Sequence, residues 1–146
     1  MNNMACEQAD LAQTIANACR QFRADVILPA PAGSELARAG HAAGLAVALE
    51  VFADRAYTTA GHLVPRNQPG AVLDTSQACI DHVLAMIEAR GIVAVDGTVI
   101  PTQFHSICVH GDNAHAVDTA IALRQALLSE GHTLATLPEL MADESV

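Results

Sequence analysis

Leu45-Ala46-Val47-Ala48-Leu49-Glu50-Val51-Phe52-Ala53-Asp54-Arg55 is the stretch that decides the fold. It opens on an unbroken apolar run, the pattern of a strand buried on both faces. Three charged side chains, Glu50, Asp54 and Arg55, follow within six residues. A buried strand ending in charge is how parallel α/β folds present functional groups, at the carboxyl ends of their strands. Upstream, Asp25–Ala30 (DVILPA) is a second short apolar run, closed by Pro29 and Pro31. Between the two runs, Ser34 can cap a short helix and Gly44 can end it. Strand, helix, strand predicts a parallel pair joined by a crossover.

The same alternation extends in both directions. Residues 7–22 read as a helix, with Leu11, Ile15, Ala18 and Phe22 at helical spacing and Glu7 and Asp10 near the positive end of its dipole. Val51–Val72 holds Gly61, Pro65, Pro69 and Gly70 and has no periodicity, so it reads as a long loop of the functional kind. Asp74 with Gln77 predicts a capping box for a helix whose stripe is Ile80, Val83, Leu84 and Ile87, ending near Arg90-Gly91. Ile92–Val95 and Thr98–Ile100 flank Asp96-Gly97, which predicts a hairpin with a type I′ turn. Ser106–Val109 is the third core strand. A last helix follows, with Val117, Ala120, Ile121 and Leu128 expected inward and Gly131 closing it. From Pro138 onward the chain reads as a loose tail. A complete (β/α) barrel needs roughly 200–250 residues. At 146 residues and without a polar linker, the expectation is one continuous α/β unit over residues 1–137, at most half a barrel, plus a tail over 138–146.

Composition excludes several functions. Seven basic residues against sixteen acidic ones give a formal charge of −9. With three Phe, one Tyr and no Trp, the chain lacks the basic and aromatic surface that nucleic acid requires. Apolar runs stop well short of a membrane span, and Met1-Asn2-Asn3 shows neither the cationic nor the apolar region of a secretory signal. All seven basic residues are arginine, so the chain brings no lysine nucleophile, Schiff base or P-loop lysine. Cys6, Cys19, Cys79 and Cys108 have no zinc-knuckle or redox spacing and read as reduced thiols of a cytoplasmic protein.

Two segments can carry chemistry. After the Leu45–Leu49 strand, a carboxylate at Glu50 or Asp54 can bind a metal, act as a general base or orient an arginine. Arg55 can hold a carboxylate or phosphate bidentately. The structural alternative is an Asp54–Arg55 pair that pins the loop, with Glu50 capping a neighbouring helix. After the Ser106–Val109 strand comes His110-Gly111-Asp112. His110 can ligate a metal, shuttle a proton or serve as a hydrogen-bonded structural histidine. Asp112 can act or simply cap the last helix. Arg66, beside a Pro-Gly turn, can bind an anion or stay solvated. His41, His82 and His132 read as structural or surface positions. Strand alternation puts His105 and His110 on opposite faces, which argues against a metal cluster there.

Several motifs, in order, resemble one family. They are Ala32-Gly33-Ser34-Glu35-Leu36, Ala39–Leu45, Glu50-Val51-Phe52-Ala53-Asp54-Arg55-Ala56-Tyr57, Leu63-Val64-Pro65-Arg66, Gln68-Pro69-Gly70-Ala71-Val72, Val95-Asp96-Gly97-Thr98 and Ile107-Cys108-Val109-His110-Gly111-Asp112. The chain resembles the LamB/YcsF family from about Asn3 to Gly131. The resemblance implies an irregular, deacetylase-like (β/α) barrel. It also implies the activity of 5-oxoprolinase, whose A subunit, with subunits B and C, opens the lactam of 5-oxoproline to glutamate using ATP. A divalent metal such as Mg²⁺ would accompany the ATP. By the same resemblance, Glu50, Asp54, His110 and Asp112 are metal ligands or acid/base groups, while Arg55 and Arg66 hold substrate carboxylate or phosphate. The family's opening Asp-Leu-Asn-x-Asp-Leu-Gly-Glu motif and the histidine motifs after it have no counterpart here, so the expectation is the C-terminal half of such a barrel. The alternatives are an inactive remnant that pairs or dimerises through open strand edges, and a stand-alone metal-dependent hydrolase of the deacetylase type.

Overall fold

The structure is a computed structural model that describes residues 2–112 and 114–143. The element order is α1 (Asn2–Glu7), α2 (Ala9–Phe22), β1 (Ile27–Pro31), α3 (Glu35–Ala42), β2 (Ala46–Phe52), α4 (Ser76–Ala89), β3 (Gly91–Val93), β4 (Val99–Pro101), β5 (Ser106–Cys108), α5 (Ala116–Ser129) and α6 (Leu137–Asp143). Strands β1, β2 and β5 form one sheet in that order, and β3 pairs antiparallel with β4. Ile27 lies opposite Ala46 and Pro31 opposite Glu50, in the parallel sense. The expected α/β alternation, the parallel pair and the small hairpin are all present. No helix among the described residues is long and apolar enough to cross a membrane.

The chain forms two compact units, not one continuous body. One holds Met1–Glu50, Phe104–Ser106 and Ala135–Val146; the other holds Val51–Gln103 and Ile107–Leu134. Each unit is built from separate stretches, and the chain passes between them inside strands β2 and β5. That is why no Gly- or Pro-rich linker marks the division.

In the first unit, α2 packs on α3, α1 on both, and α3 on β1. Ser34 caps α3 as expected, its Oγ accepting the Ala37 N–H at 3.1 Å. The core is rich in alanine: Ala5, Ala12, Ala16, Ala30, Ala37 and Ala39 join Leu28, Leu36, Leu45 and Val47. Small side chains let helices approach closely, so α2 turns Ala12 and Ala16 inward. The expected stripe is thereby corrected. Ala18 is exposed, and Phe22, at the last helical position, is 80% exposed. The tail is also corrected: Leu137–Asp143 is helical, and positions 144–146 lie outside the described residues. Thr136-Leu137-Pro138-Glu139 explains the start of this helix. The Glu139 carboxylate accepts both the Thr136 N–H and its hydroxyl at 2.7 Å, while Pro138 sits in the first turn, where no N–H is needed.

In the second unit, α4 packs on α5 and on β3. Thr75, not Asp74, caps α4, its Oγ1 accepting from Ala78 N–H at 3.2 Å; Gln77 instead bonds Asp81 at 2.7 Å. The buried line of α4 is Cys79, Val83 and Met86. Helix α5 reverses the expectation. Ala116, Thr119, Leu123 and Leu127 face inward, whereas Val117 is 71% exposed and Ile121 53%. This helix carries two apolar stripes, and periodicity cannot choose between them. Tertiary packing chooses the one whose Thr119 hydroxyl meets Ser76 Oγ at 2.9 Å.

The hairpin is present, but its turn is not type I′. Gly97 has φ 86°, and among the described residues only Arg90 is a non-glycine with positive φ. Gly97 N–H bonds Ala94 C=O and Ala94 N–H bonds Thr98 C=O, both at 2.9 Å. This is the three-residue loop in which one glycine takes the left-handed position. Gly91 is required for a different reason: a Cβ there would collide with the Ile100 carbonyl oxygen and lie 3.2 Å from Pro101 Cα.

Candidate active site

Where β2 leaves its ladder, main-chain bonds fix the next residues. Ala53 N–H bonds Cys108 C=O at 2.9 Å, and Leu73 N–H bonds Asp54 C=O at 3.0 Å. The first of these ties the end of β2 to the end of β5, so side chains 56 positions apart in sequence meet just beyond it. His110 Nδ1–H donates to both carboxylate oxygens of Asp54, at 2.8 and 2.9 Å. An ionised carboxylate only accepts, so the Nδ1 proton lies toward Asp54 and Nε2 is the basic nitrogen. The Asp54 side chain is 8% exposed and that of His110 25%. Phe52 covers the imidazole, with ring centroids 5.3 Å apart and planes within 13°.

The two arginines separate sharply. Arg55 is buried, its Nη2 donating to Val64 C=O at 2.7 Å and its Nε to Ala71 C=O at 3.3 Å. Burial pushes its guanidinium below the ordinary value, Arg66 nearby adds to this, and Asp54 opposes it. Arg55 therefore holds the segment after β2 together through main-chain carbonyls, with no Asp54–Arg55 pair needed. That segment is not irregular throughout. Isolated bridges join Arg55 to Val72 and Tyr57 to Leu63, and Ala56, Val64 and Ala71 make a small core. Such a loop, closed on its own side chains, belongs to the Ω class. Arg66 is half exposed and lies 3.5 Å from the exposed carboxylate of Asp112. Asp112 does not cap α5; His115 occupies that position without a side-chain cap bond.

Glu50 belongs to the first unit, where its carboxylate accepts from Ser106 Oγ at 3.0 Å and caps no helix. His105 is in the same unit, with its Nδ1 accepting Leu49 N–H at 2.8 Å. Of the sequence candidates, the structure thus pairs Asp54 with His110 and Arg66 with Asp112. Among the described residues, no group of three or more His, Cys, Asp or Glu is arranged to hold a metal ion.

Sequence reasoning missed three residues beside this dyad. Phe52 stacks on it. Tyr57 is buried and its Oη accepts the Phe52 N–H at 2.9 Å. His82 stacks on Tyr57 with ring centroids 6.0 Å apart, and its Nε2 is buried without a hydrogen-bond partner. Burial pushes the His82 pKa below 6.5. Nothing in the spacing of these three residues signals their convergence; only the closeness of Phe52 and Tyr57 to Asp54 hints at it.

Known proteins share this geometry's sequence and fold. The LamB/YcsF family model matches residues 1–142. The 5-oxoprolinase A subunit of Azoarcus sp. (strain BH72) is 51% identical over 140 residues, covering 96% of this chain and 55% of that protein. The corresponding A subunit from Methylococcus capsulatus is 44% identical over 133 residues, 91% of this chain and 51% of its own length. The crystal structure of a lactam utilization protein from Thermus thermophilus superposes with a TM-score of 0.80 at 30% identity, covering 90% of this chain and 52% of the other. The chain spans about half the length of the curated relatives it matches. The match runs through both units and includes every segment that builds the Asp54–His110 pair, and the chain belongs to the LamB/YcsF family.

Proposed function

We propose that this chain acts as part of the A subunit of a 5-oxoprolinase, in the ATP-dependent hydrolysis of 5-oxoproline to glutamate with subunits B and C, in the cytoplasm. The observation that carries the reading is the Asp54–His110 dyad in a chain whose relatives bear that name. A five-membered lactam is a poor electrophile. Phosphorylation of its amide oxygen by ATP makes a leaving group; water then attacks the ring carbon, the C–N bond opens, and phosphate departs. In this reading His110 takes a proton from the attacking water at Nε2, and Asp54 holds the ring and stabilises the imidazolium.

Arg66, half exposed, is the cation of this chain best placed to meet a substrate carboxylate or phosphate, with Asp112 as its counter-ion. Arg55 keeps a framework role, because its donors already serve main-chain carbonyls. Glu50 acts through Ser106 in the other unit. A metal such as Mg²⁺ does not fit the described side chains, which offer no group of three ligands, so no step is derived through one. The deacetylase-type alternative lacks a donor set for the same reason.

The test is a chimera in which this chain replaces the matched 140-residue segment of the Azoarcus relative. Assayed with subunits B and C, ATP and Mg²⁺, the chimera is expected to release glutamate from 5-oxoproline, while the 146-residue chain in its place releases none. Asp54→Asn in the chimera is expected to lower kcat by roughly 10²–10⁴. Full turnover by the Asn variant, or no turnover by the chimera, sinks the reading.

A further inference from the structure

We propose that Tyr57 and Phe52 are positioning residues that set the plane of the His110 imidazole and so the direction of its Nε2. The catalytic consequence rests on the function proposed above; the geometric claim does not. Asp54 grips the imidazole at Nδ1. A hydrogen bond at one ring atom fixes that atom and permits the ring to pivot about the bond. The near-parallel stack of Phe52, 13° from the imidazole plane, constrains that pivot. Together the two contacts define the direction in which Nε2 points.

Phe52 in turn must be held. It is the last residue of β2, where ladder bonding ends, and it is 5% exposed. Its N–H donates to Tyr57 Oη at 2.9 Å, so a phenol takes the place of a strand carbonyl. Tyr57 is itself fixed from three sides. Val95 N–H bonds its carbonyl at 2.9 Å, a bridge ties it to Leu63, and its ring lies on His82. Phenylalanine would fill this buried space equally well and carry no polar atom to desolvate. The hydroxyl meets the main chain of the one residue whose ring covers His110. All five residues of this chain of contacts, His82, Tyr57, Phe52, His110 and Asp54, lie within one compact unit.

The test uses variants of the 146-residue chain and of the chimera. In proton–carbon NMR spectra, His110 ring protons, assigned by their loss in His110→Gln, should sit upfield under the Phe52 ring current. Phe52→Leu should abolish that shift. Tyr57→Phe, which removes one oxygen, should reduce it. Gly91→Ala, which perturbs the same unit away from the dyad, should leave it in place. In the chimera, Tyr57→Phe should lower kcat about ten-fold with KM for 5-oxoproline little changed, as expected of a misdirected base. Unchanged His110 shifts in a folded Tyr57→Phe protein would overturn the proposal. So would an equal change in Gly91→Ala, which marks a merely structural effect. Altered shifts in a chain whose chimera has no activity would uphold the positioning while rejecting the enzymatic reading.

Discussion

Replacing Arg55 with methionine should loosen the segment after β2, and the size of the effect can be worked from its contacts. The guanidinium donates to Val64 C=O at 2.7 Å and to Ala71 C=O at 3.3 Å, and both residues are buried. Hydrogen bonds from a charged donor contribute about 1.5–3 kcal/mol each, and the longer one belongs at the weak end. Methionine fills similar volume but leaves both carbonyls unsatisfied. Against this loss, the variant no longer buries a charge, the cost that pushes the Arg55 pKa down. The net destabilisation is about 2–3 kcal/mol. With a urea slope of about 2 kcal/mol/M, the midpoint should fall by about 1 M. Tyr57 is the single tyrosine in a chain without tryptophan, so intrinsic fluorescence during urea titration reads this unit directly. Arg55→Lys keeps the charge but not the fork, and should fall between wild type and methionine. A methionine variant whose midpoint stays within about 0.3 M of wild type would show that these carbonyls do not depend on Arg55.

Two further outcomes follow from single contacts. Gly91→Ala should destabilise the chain by about 2–3 kcal/mol, because the new methyl meets the backbone carbonyl of Ile100, which no side-chain rotation relieves; an unchanged thermal midpoint would contradict this. His82 is held neutral by burial, with a folded pKa below 6.5. The unfolded chain therefore binds the extra proton first, so stability should decline as pH falls below about 6.5 and stop declining once the folded pKa is passed. His82→Leu should remove that share of the acid slope, measured as urea midpoints between about pH 7 and pH 5; parallel slopes in the two proteins would refute the assignment.

Much of the fold is legible in the residues. Apolar runs bounded by proline, glycine and charge locate all three sheet strands, because burial on both faces demands unbroken hydrophobicity. Ser34 announces α3, because a cap is a local hydrogen bond. The carboxyl-end rule likewise points to Asp54 and His110. Helix α6 has a local signal too, the Thr136–Glu139 capping box, which Pro138 masks because proline so often ends a helix when it does not begin one. Other features have no local cause. Helices α2 and α5 carry apolar residues on more than one face, so only packing decides that Ala12 and Thr119 turn inward while Phe22 and Val117 face water. Arg55 and Arg66 look interchangeable in sequence; one is a buried clamp and the other a surface cation, because only the folded loop presents unpaired carbonyls to Arg55. The two-unit division, the Asp54–His110 contact and the Tyr57–Phe52 support join residues distant in sequence or across a bend. Sequence determined which chemical groups stand at the strand ends. Tertiary structure alone decided which of them meet, because that depends on the β2–β5 connection, where one backbone bond between Ala53 and Cys108 brings the two strand ends together.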